Sequence, residues 1–283
     1  MITSTSKENL TLPFLRWTGS KRWFIKDHIS DFLPKIFNSY HEPFLGGGAV
    51  FFYLKSIECN KERKYYLSDS NDELINCYLQ LKDNKSKVVE HLITLKNTEA
   101  DYYKIRDSNP STKAKRAARF IYLNRTSFNG IYRVNSEGNY NVPYGKRSKV
   151  DIVTENLFAS VKKKLKNTNI QAQSFEKALR EIKKDDLVFL DPPYTIAHEN
   201  NGFIEYNQKL FSWEDQLRLK EFIEKIVKRK AYFILTNASH SSIIDLYKDI
   251  GTISKLSRLS KVGGRNKTRG MYNEVIIYNT TSQ

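Results

Sequence analysis

The sequence predicts an α/β fold, a doubly wound sheet interrupted by one inserted, mainly helical segment. Three observations predict it. Leu187 to Leu190 form an uninterrupted apolar run that stops at Asp191-Pro192-Pro193-Tyr194. This is how a central parallel strand looks when helices cover both faces of the sheet. Tyr40-His41-Glu42 leads through Pro43-Phe44-Leu45 into Gly46-Gly47-Gly48 and then an apolar helical run. Finally, strands and helices alternate on both sides of the stretch from Tyr78 to Val150, which lacks that alternation.

Taken in order, Leu12 to Lys21 precedes a helix in which Ile25, Ile29, Phe32 and Leu33 share one face, and Pro34 closes it. The Tyr40 strand and its glycine turn follow. Lys64 to Asp69 is a second strand ending in an acid. In a doubly wound fold an acid at that place accepts hydrogen bonds from ribose hydroxyls, and Asp69 is equally suited to cap the helix beginning near Asn71. The insert carries helical patterns at Val88 to Leu95 and Ala114 to Leu123. Ile131 to Val134 and Tyr140 to Val142, joined through Ser136-Glu137-Gly138, read as a β-hairpin. A weaker strand at Asn169 to Gln173 precedes the Leu187 strand. Ser212 and Asp215 form a capping box for a helix whose Leu219, Phe222, Ile223, Ile226 and Val227 face the sheet. A strand from Tyr232 to Thr236, a helix near Ile243 to Tyr247 and a strand from Glu274 to Tyr278 complete the reading.

Charge narrows the partner. The chain of 283 residues carries 47 Lys and Arg against 31 Asp and Glu, a formal net charge of +16. Such an excess fits a polyanion. Eleven Lys and Arg against two acids fall between Lys104 and Lys149, and six without an acid fall between Lys255 and Arg269. Aromatic residues interleave the first stretch, which favours a nucleic-acid surface over a membrane. No segment approaches the roughly 20 apolar residues of a transmembrane helix. Met1 to Glu8 also lacks the basic and apolar regions of a signal peptide, so a cytoplasmic location is expected. Cys59 and Cys77 form no disulfide framework, and the five histidines show no ligand spacing. No metal is expected.

The site residues follow from the same pattern. Ligands of open α/β sheets bind beyond the carboxyl ends of the strands, which is where Asp191 and Tyr194 fall. Pro192 and Pro193 cannot donate to a sheet and restrict the residues before them, so the chain leaves the strand in a fixed direction. Trp17 and Lys21 flank the Thr18-Gly19-Ser20 turn and can present an indole face and an ammonium to one small ligand. The Gly46 to Gly48 turn allows close backbone approach, and the helix after it offers N–H groups to an anion. Its spacing matches neither a dinucleotide fingerprint nor a P-loop.

The order of Trp17-Thr18-Gly19-Ser20-Lys21, Pro43 to Gly48, Asp69, an insert ending in Asn141-Val142-Pro143-Tyr144-Gly145, and Asp191-Pro192-Pro193-Tyr194 resembles that of the Dam-type DNA adenine-N6 methyltransferases. The resemblance extends over nearly the whole chain. It implies a Rossmann-like methyltransferase sheet at residues 1–77 and 151–283 and a target-recognition domain at residues 78–150. It also implies S-adenosylmethionine as methyl donor. By that resemblance Trp17 and Lys21 contact the donor, and the turn from Phe44 through Gly46 to Gly48 cradles its methionine part. Asp69 holds its ribose and Phe175 packs on its adenine, with Asp191 lying against it. Ser174 stands where similar proteins often carry an acid. Ser20 stands where a second glycine is common.

The acidic Pro-Pro-Tyr turn suits an exocyclic amine. The adenine N6 lone pair is delocalised into the ring and is a poor nucleophile. If Asp191 and the Pro192 carbonyl accept its two N–H groups, the nitrogen moves towards tetrahedral geometry. Tyr194 would then stack on a base flipped from the duplex. Arg133 suits a guanine edge, and Phe128, Asn129 and Ile131 resemble positions that enter or touch the opened duplex. Arg125, Lys146, Arg147, Arg265, Lys267 and Arg269 read as phosphate contacts. The expected function is site-specific methylation of adenine in double-stranded DNA at GATC or a related GAT-containing site. The host is a bacterium or phage, the setting nucleoid-associated and the enzyme a monomer. A cognate restriction endonuclease sharing the site without direct contact is a compatible partner. RNA adenine or DNA cytosine-N4 methylation are the alternatives. A binding-only protein is a third, against which Lys21, Asp69, Asp191 and Tyr194 all stand.

Overall fold

The structure, a computed structural model, describes residues 11–57, 62–195, 211–259 and 271–280. Its strands are β1 (Tyr40–Glu42), β2 (Tyr65–Asp69), β3 (Thr168–Ala172), β4 (Leu187–Leu190), β5 (Tyr232–Ala238), β6 (Thr252–Leu259) and β7 (Met271–Tyr278). They form one sheet in the order β3-β2-β1-β4-β5-β7-β6. The chain winds from β1 outward to β2 and β3, then from β4 to β5 on the other side, so the winding reverses between β1 and β4. That is the doubly wound α/β arrangement the sequence predicts.

β4 pairs in parallel with β1 and with β5, and all four of its residues are buried. An apolar run without alternation survives only where both faces are covered, which is why this strand is legible from sequence. The other edge was not anticipated: β7 runs antiparallel to both β5 and β6. Thr252 to Leu259 mixes Ser254, Lys255 and Ser257 with its apolar residues, as an edge strand does, and this hid it.

The helices are α1 (Arg22–Asp27), α2 (Ala49–Ile57), α3 (Asp72–Asp83), α4 (Lys85–Ile93), α5 (Glu99–Arg106), α6 (Lys113–Thr126), α7 (Glu155–Leu165), α8 (Trp213–Lys228) and α9 (Ser241–Tyr247). The single helix expected through Ile25 and Leu33 is instead α1 followed by a short 3-10 turn, Ile29–Asp31, because His28 leaves helical geometry at φ −137°. Two helices were missed. α5 is N-capped by Thr98, whose side chain accepts from the Asp101 N–H, and α7 buries Phe158, Val161 and Leu165 at helical spacing. The expected capping box on α8 is present, with the Asp215 N–H donating to Ser212 Oγ at 3.2 Å and the Ser212 N–H to Asp215 Oδ2 at 2.9 Å.

The chain forms two compact units. One comprises Met1–Ile29, Leu45–Glu62 and Leu67–Gln173; the other comprises Ser30–Phe44, Arg63–Tyr66 and Ser174–Gln283. In the first, Tyr78 of α3 meets Phe14 edge-on at 5.0 Å and lies stacked beside Phe52 of α2 at 6.5 Å. In the second, Val188 and Leu190 of β4, Phe233 and Leu235 of β5, and Val275 and Ile277 of β7 pack with Leu219, Phe222, Ile223 and Ile226 of α8.

The entry to β4 is fixed by a buried acid. Asp186 accepts from the Ser39 N–H at 2.9 Å and the Lys183 N–H at 2.8 Å, and its Oδ2 lies 2.9 Å from His41 Nε2 on β1. Burial pushes the Asp186 carboxyl up, but the His41 contact and the two N–H donors outweigh it and hold its pKa below the ordinary value. A depressed folded pKa contributes stability above the unfolded value and loses it as pH falls through the folded one. Asp186→Asn should therefore cost about 3 kcal/mol at neutral pH, with the deficit shrinking as the pH drops below the ordinary Asp range near ~4. Urea unfolding of both proteins across that range checks this; a deficit independent of pH would refute the assignment.

Candidate active site

In the first unit the glycine turn is shaped by its own surroundings. Gly46 has φ +47°, and a Cβ there would lie 2.7 Å from Trp17 Nε1. Gly48 has φ +65°, and its Cβ would lie 2.9 Å from the Tyr78 hydroxyl. Both positions therefore require glycine for backbone and steric reasons before any ligand is considered. The Tyr78 hydroxyl donates to the Gly46 carbonyl at 3.0 Å, and the Gly46 N–H donates to Asp69 Oδ2 at 2.9 Å. α2 begins immediately after the turn.

Asp69 does not cap α3. Asn71 does, accepting from the Leu74 N–H at 3.0 Å. Asp69 instead accepts the Asn71 N–H on Oδ1 at 3.0 Å and the Gly46 N–H on Oδ2. Burial raises its pKa although backbone N–H groups pull it down. Two carboxylate oxygens offer about four acceptor sites, so the half-buried Asp69 retains capacity for hydroxyl donors. Lys21, at the head of α1, is 3% exposed and its ammonium donates to the Gly19 carbonyl at 3.0 Å.

Trp17 is held by the insert. Its ring lies stacked at 5.8 Å from Tyr132 and 6.4 Å from Phe120, while Tyr132 and Phe120 stack at 5.1 Å. The expected hairpin is present in reduced form. Its strands shrink to one bridge, Val134 to Tyr140, flanked by Asn141 N–H to Arg133 carbonyl and Asn135 N–H to Asn139 carbonyl bonds. Asn135 Oδ1 closes the tip by accepting the N–H groups of Glu137 and Asn139.

The insert's basic side chains divide into two sets. Arg133 and Lys146 are exposed, as are Phe128, at 53%, and Asn129; Ile131 is half-buried. Asn129 adopts φ +53°. Arg125 and Arg147 are half-buried and make bonds within the protein. Arg125 donates to the carbonyls of Asp151 and Phe14 and to the Thr154 hydroxyl, and burial lowers its pKa. Arg147 donates to the carbonyls of Arg125 and Ser127. Sequence alone cannot separate an arginine that ties loops together from one that meets solvent. Arg265, Lys267 and Arg269 lie outside the described residues.

In the second unit the carboxyl end of β4 carries Asp191, whose Oδ1 accepts the Thr236 hydroxyl at 2.7 Å. Pro192 is buried and Pro193 exposed. The Tyr194 hydroxyl donates to Glu274 Oε2 at 2.6 Å, a buried acid on β7. Thr236 and Glu274 were not singled out from sequence. Each sits on a strand whose neighbour in the sheet is not readable locally. Glu42, at the end of β1, is also buried and accepts the Tyr40 hydroxyl at 2.8 Å. Phe175 stacks on Phe44 at 5.2 Å and meets Phe222 edge-on at 5.5 Å, so its ring belongs largely to this unit's core.

Among the described residues no cluster of His, Cys, Asp and Glu is suited to a metal, and no helix is long and apolar enough to cross a membrane. The family model for D12 class N6 adenine-specific DNA methyltransferases matches residues 17–262. The chain is 37% identical over 277 residues to the type II methyltransferase M1.LlaDCHI of Lactococcus lactis subsp. cremoris, covering 94% of this chain and 95% of the relative. It is 34% identical over 288 residues to the type II methyltransferase M.MjaIII of Methanocaldococcus jannaschii, covering 94% and 98%. To the DNA adenine methylase of Haemophilus influenzae it is 34% identical over 230 residues, covering 79% and 78%. The acidic Pro-Pro-Tyr turn at the end of β4 thus stands in a chain that belongs to the D12 class of adenine-specific DNA methyltransferases, enzymes that modify the N6 of adenine in DNA.

Proposed function

We propose that the enzyme takes its methyl group from S-adenosylmethionine and delivers it directly to the N6 of an adenine flipped out of duplex DNA, within GATC or a related GAT-containing site. The observation that carries this reading is the Asp191 carboxylate, fixed by Thr236 at the carboxyl end of the central parallel strand. S-Adenosylmethionine supplies an electrophilic methyl on a sulfonium sulfur. The residues present fit such a donor: a buried ammonium at Lys21, a glycine turn at Gly46 and Gly48 with helix N–H groups behind it, and spare acceptor capacity on Asp69 for ribose hydroxyls. Trp17 offers an indole face. The Phe44 to Gly48 turn would hold the donor's methionine part, Phe175 would pack on its adenine, and Asp191 would contact it as well.

On the target, Asp191 and the Pro192 carbonyl take the two N–H groups of the amine and free its lone pair for the methyl. Tyr194, its hydroxyl anchored by Glu274, stacks on the extruded base. Residues 78–150 recognise the DNA and residues 1–77 and 151–283 carry the chemistry. Phe128, Asn129 and Ile131 enter or touch the opened duplex, Arg133 reads a guanine, and Lys146, Arg265, Lys267 and Arg269 neutralise phosphates. The enzyme acts as a monomer in the cytoplasm of a bacterial or phage-infected cell. A restriction endonuclease reading the same site is its natural counterpart.

Duplexes differing only in a GATC site test the site assignment. Methylation restricted to the GATC duplex is expected, and equal labelling of both refutes it. Replacing the target adenine by 2-aminopurine should give an emission rise on binding; no rise would remove base flipping.

A further inference from the structure

We infer that Asn141 is a positioning residue for sequence selectivity, holding Arg133 so that one defined edge of its guanidinium meets the DNA. The inference rests on the proposed reading of guanine by Arg133. Asn141 opposes Arg133 across the hairpin, its N–H donating to the Arg133 carbonyl at 3.1 Å. The side chain then closes the pair from the other direction. Arg133 Nε donates to Asn141 Oδ1 at 2.8 Å and Nη2 donates to the Asn141 carbonyl at 3.2 Å. Glu137, the only acid of the hairpin, accepts instead from Asn139 Nδ2 at 3.1 Å. The guanidinium is thus oriented by neutral acceptors.

The consequence follows from donor arithmetic. A guanidinium carries five N–H groups in a planar fork. Asn141 takes the Nε–H and one Nη2–H, which leaves both Nη1 hydrogens and one on Nη2. The remaining Nη1/Nη2 edge is the fork that matches O6 and N7 of guanine. An exposed arginine otherwise loses much of its rotamer freedom on binding, whereas one already held in plane loses less and presents a single geometry. Asn141 therefore sharpens discrimination between guanine and the other bases more than it adds to overall affinity.

The test uses four duplexes, carrying GATC, AATC, CATC or TATC at one position, with kcat/KM for methyl transfer from S-adenosylmethionine as readout. Wild type should prefer GATC strongly. Arg133→Ala should reduce that preference by about ten- to a hundredfold, the size of one bidentate base contact. Asn141→Ala should reduce it by about three- to tenfold while kcat on GATC changes less than the ratio does. Arg133→Ala/Asn141→Ala should be no less selective than Arg133→Ala, because the asparagine acts through the arginine. Asn141→Asp keeps the acceptor and should preserve the ratio while lowering kcat/KM on all four duplexes through its charge. Preference unchanged in Asn141→Ala but lost in Arg133→Ala overturns the positioning role and leaves guanine reading by Arg133 standing. Preference unchanged in Arg133→Ala removes that reading and this inference with it. If Asn141→Ala fails to fold, loss of the ratio in Asn141→Asp likewise overturns the role.

Discussion

Replacing Asp191 by alanine is expected to lower the rate of methyl transfer at saturating substrates by about a hundred- to a thousandfold, the loss seen when one preorganised group facing developing charge is removed. The structure explains why the effect should fall on kcat. Asp191 follows the last residue of a strand buried on both sides, and Thr236 on the neighbouring parallel strand holds its Oδ1. A carboxylate held this way loses little freedom when the amine arrives, so its contribution concentrates in the transition state. Asp191→Asn keeps the shape but replaces one acceptor with a donor, and should be nearly as impaired. A variant that lost only DNA affinity, with single-turnover rate intact at saturating DNA, would contradict the role.

The second large effect is expected at Asp69. Asp69→Ala should weaken donor binding by about ten- to a hundredfold, the equivalent of losing one or two hydrogen bonds to a charged group. It should also destabilise the fold by about 1–3 kcal/mol, because the Gly46 and Asn71 N–H groups lose their acceptor. The two consequences separate in calorimetry of the donor and urea unfolding without it. The pH signature is opposite to that of Asp186. Burial raises the Asp69 pKa, so its contribution is fully present below the ordinary Asp value and is lost as pH rises through the folded one. Hydroxyls of a bound ribose would favour the ionised form and lower that pKa. Unchanged donor affinity in Asp69→Ala would remove Asp69 from the donor's site.

What the sequence disclosed depended on how much each signal was local. The Leu187 run, the Ser212 capping box and the glycine turn declare themselves within a few residues, and each appears in the structure at the predicted place. The edge strand β6 does not, because Thr252, Lys255 and Ser257 are exposed and its pattern resembles a loop. The supports of the candidate site were equally hidden. Thr236 and Glu274 matter through strand neighbours tens of residues away, and only the register of the sheet brings them to Asp191 and Tyr194. Arg125 and Arg147 show the converse: their type and setting fit phosphate, and the structure adds bonds to backbone carbonyls that no local signal announces. Asn141 stands in a legible motif, but its grip on Arg133 depends on the pairing of the hairpin.

The most direct measurement is transfer of labelled methyl from S-adenosylmethionine to unmethylated duplex DNA, followed by nucleoside analysis, for the wild type and for Asp191→Ala. The account predicts that the label appears in N6-methyladenine and is lost in the variant while the donor still binds. Label in N4-methylcytosine, label in RNA alone, or undiminished transfer by Asp191→Ala would contradict it.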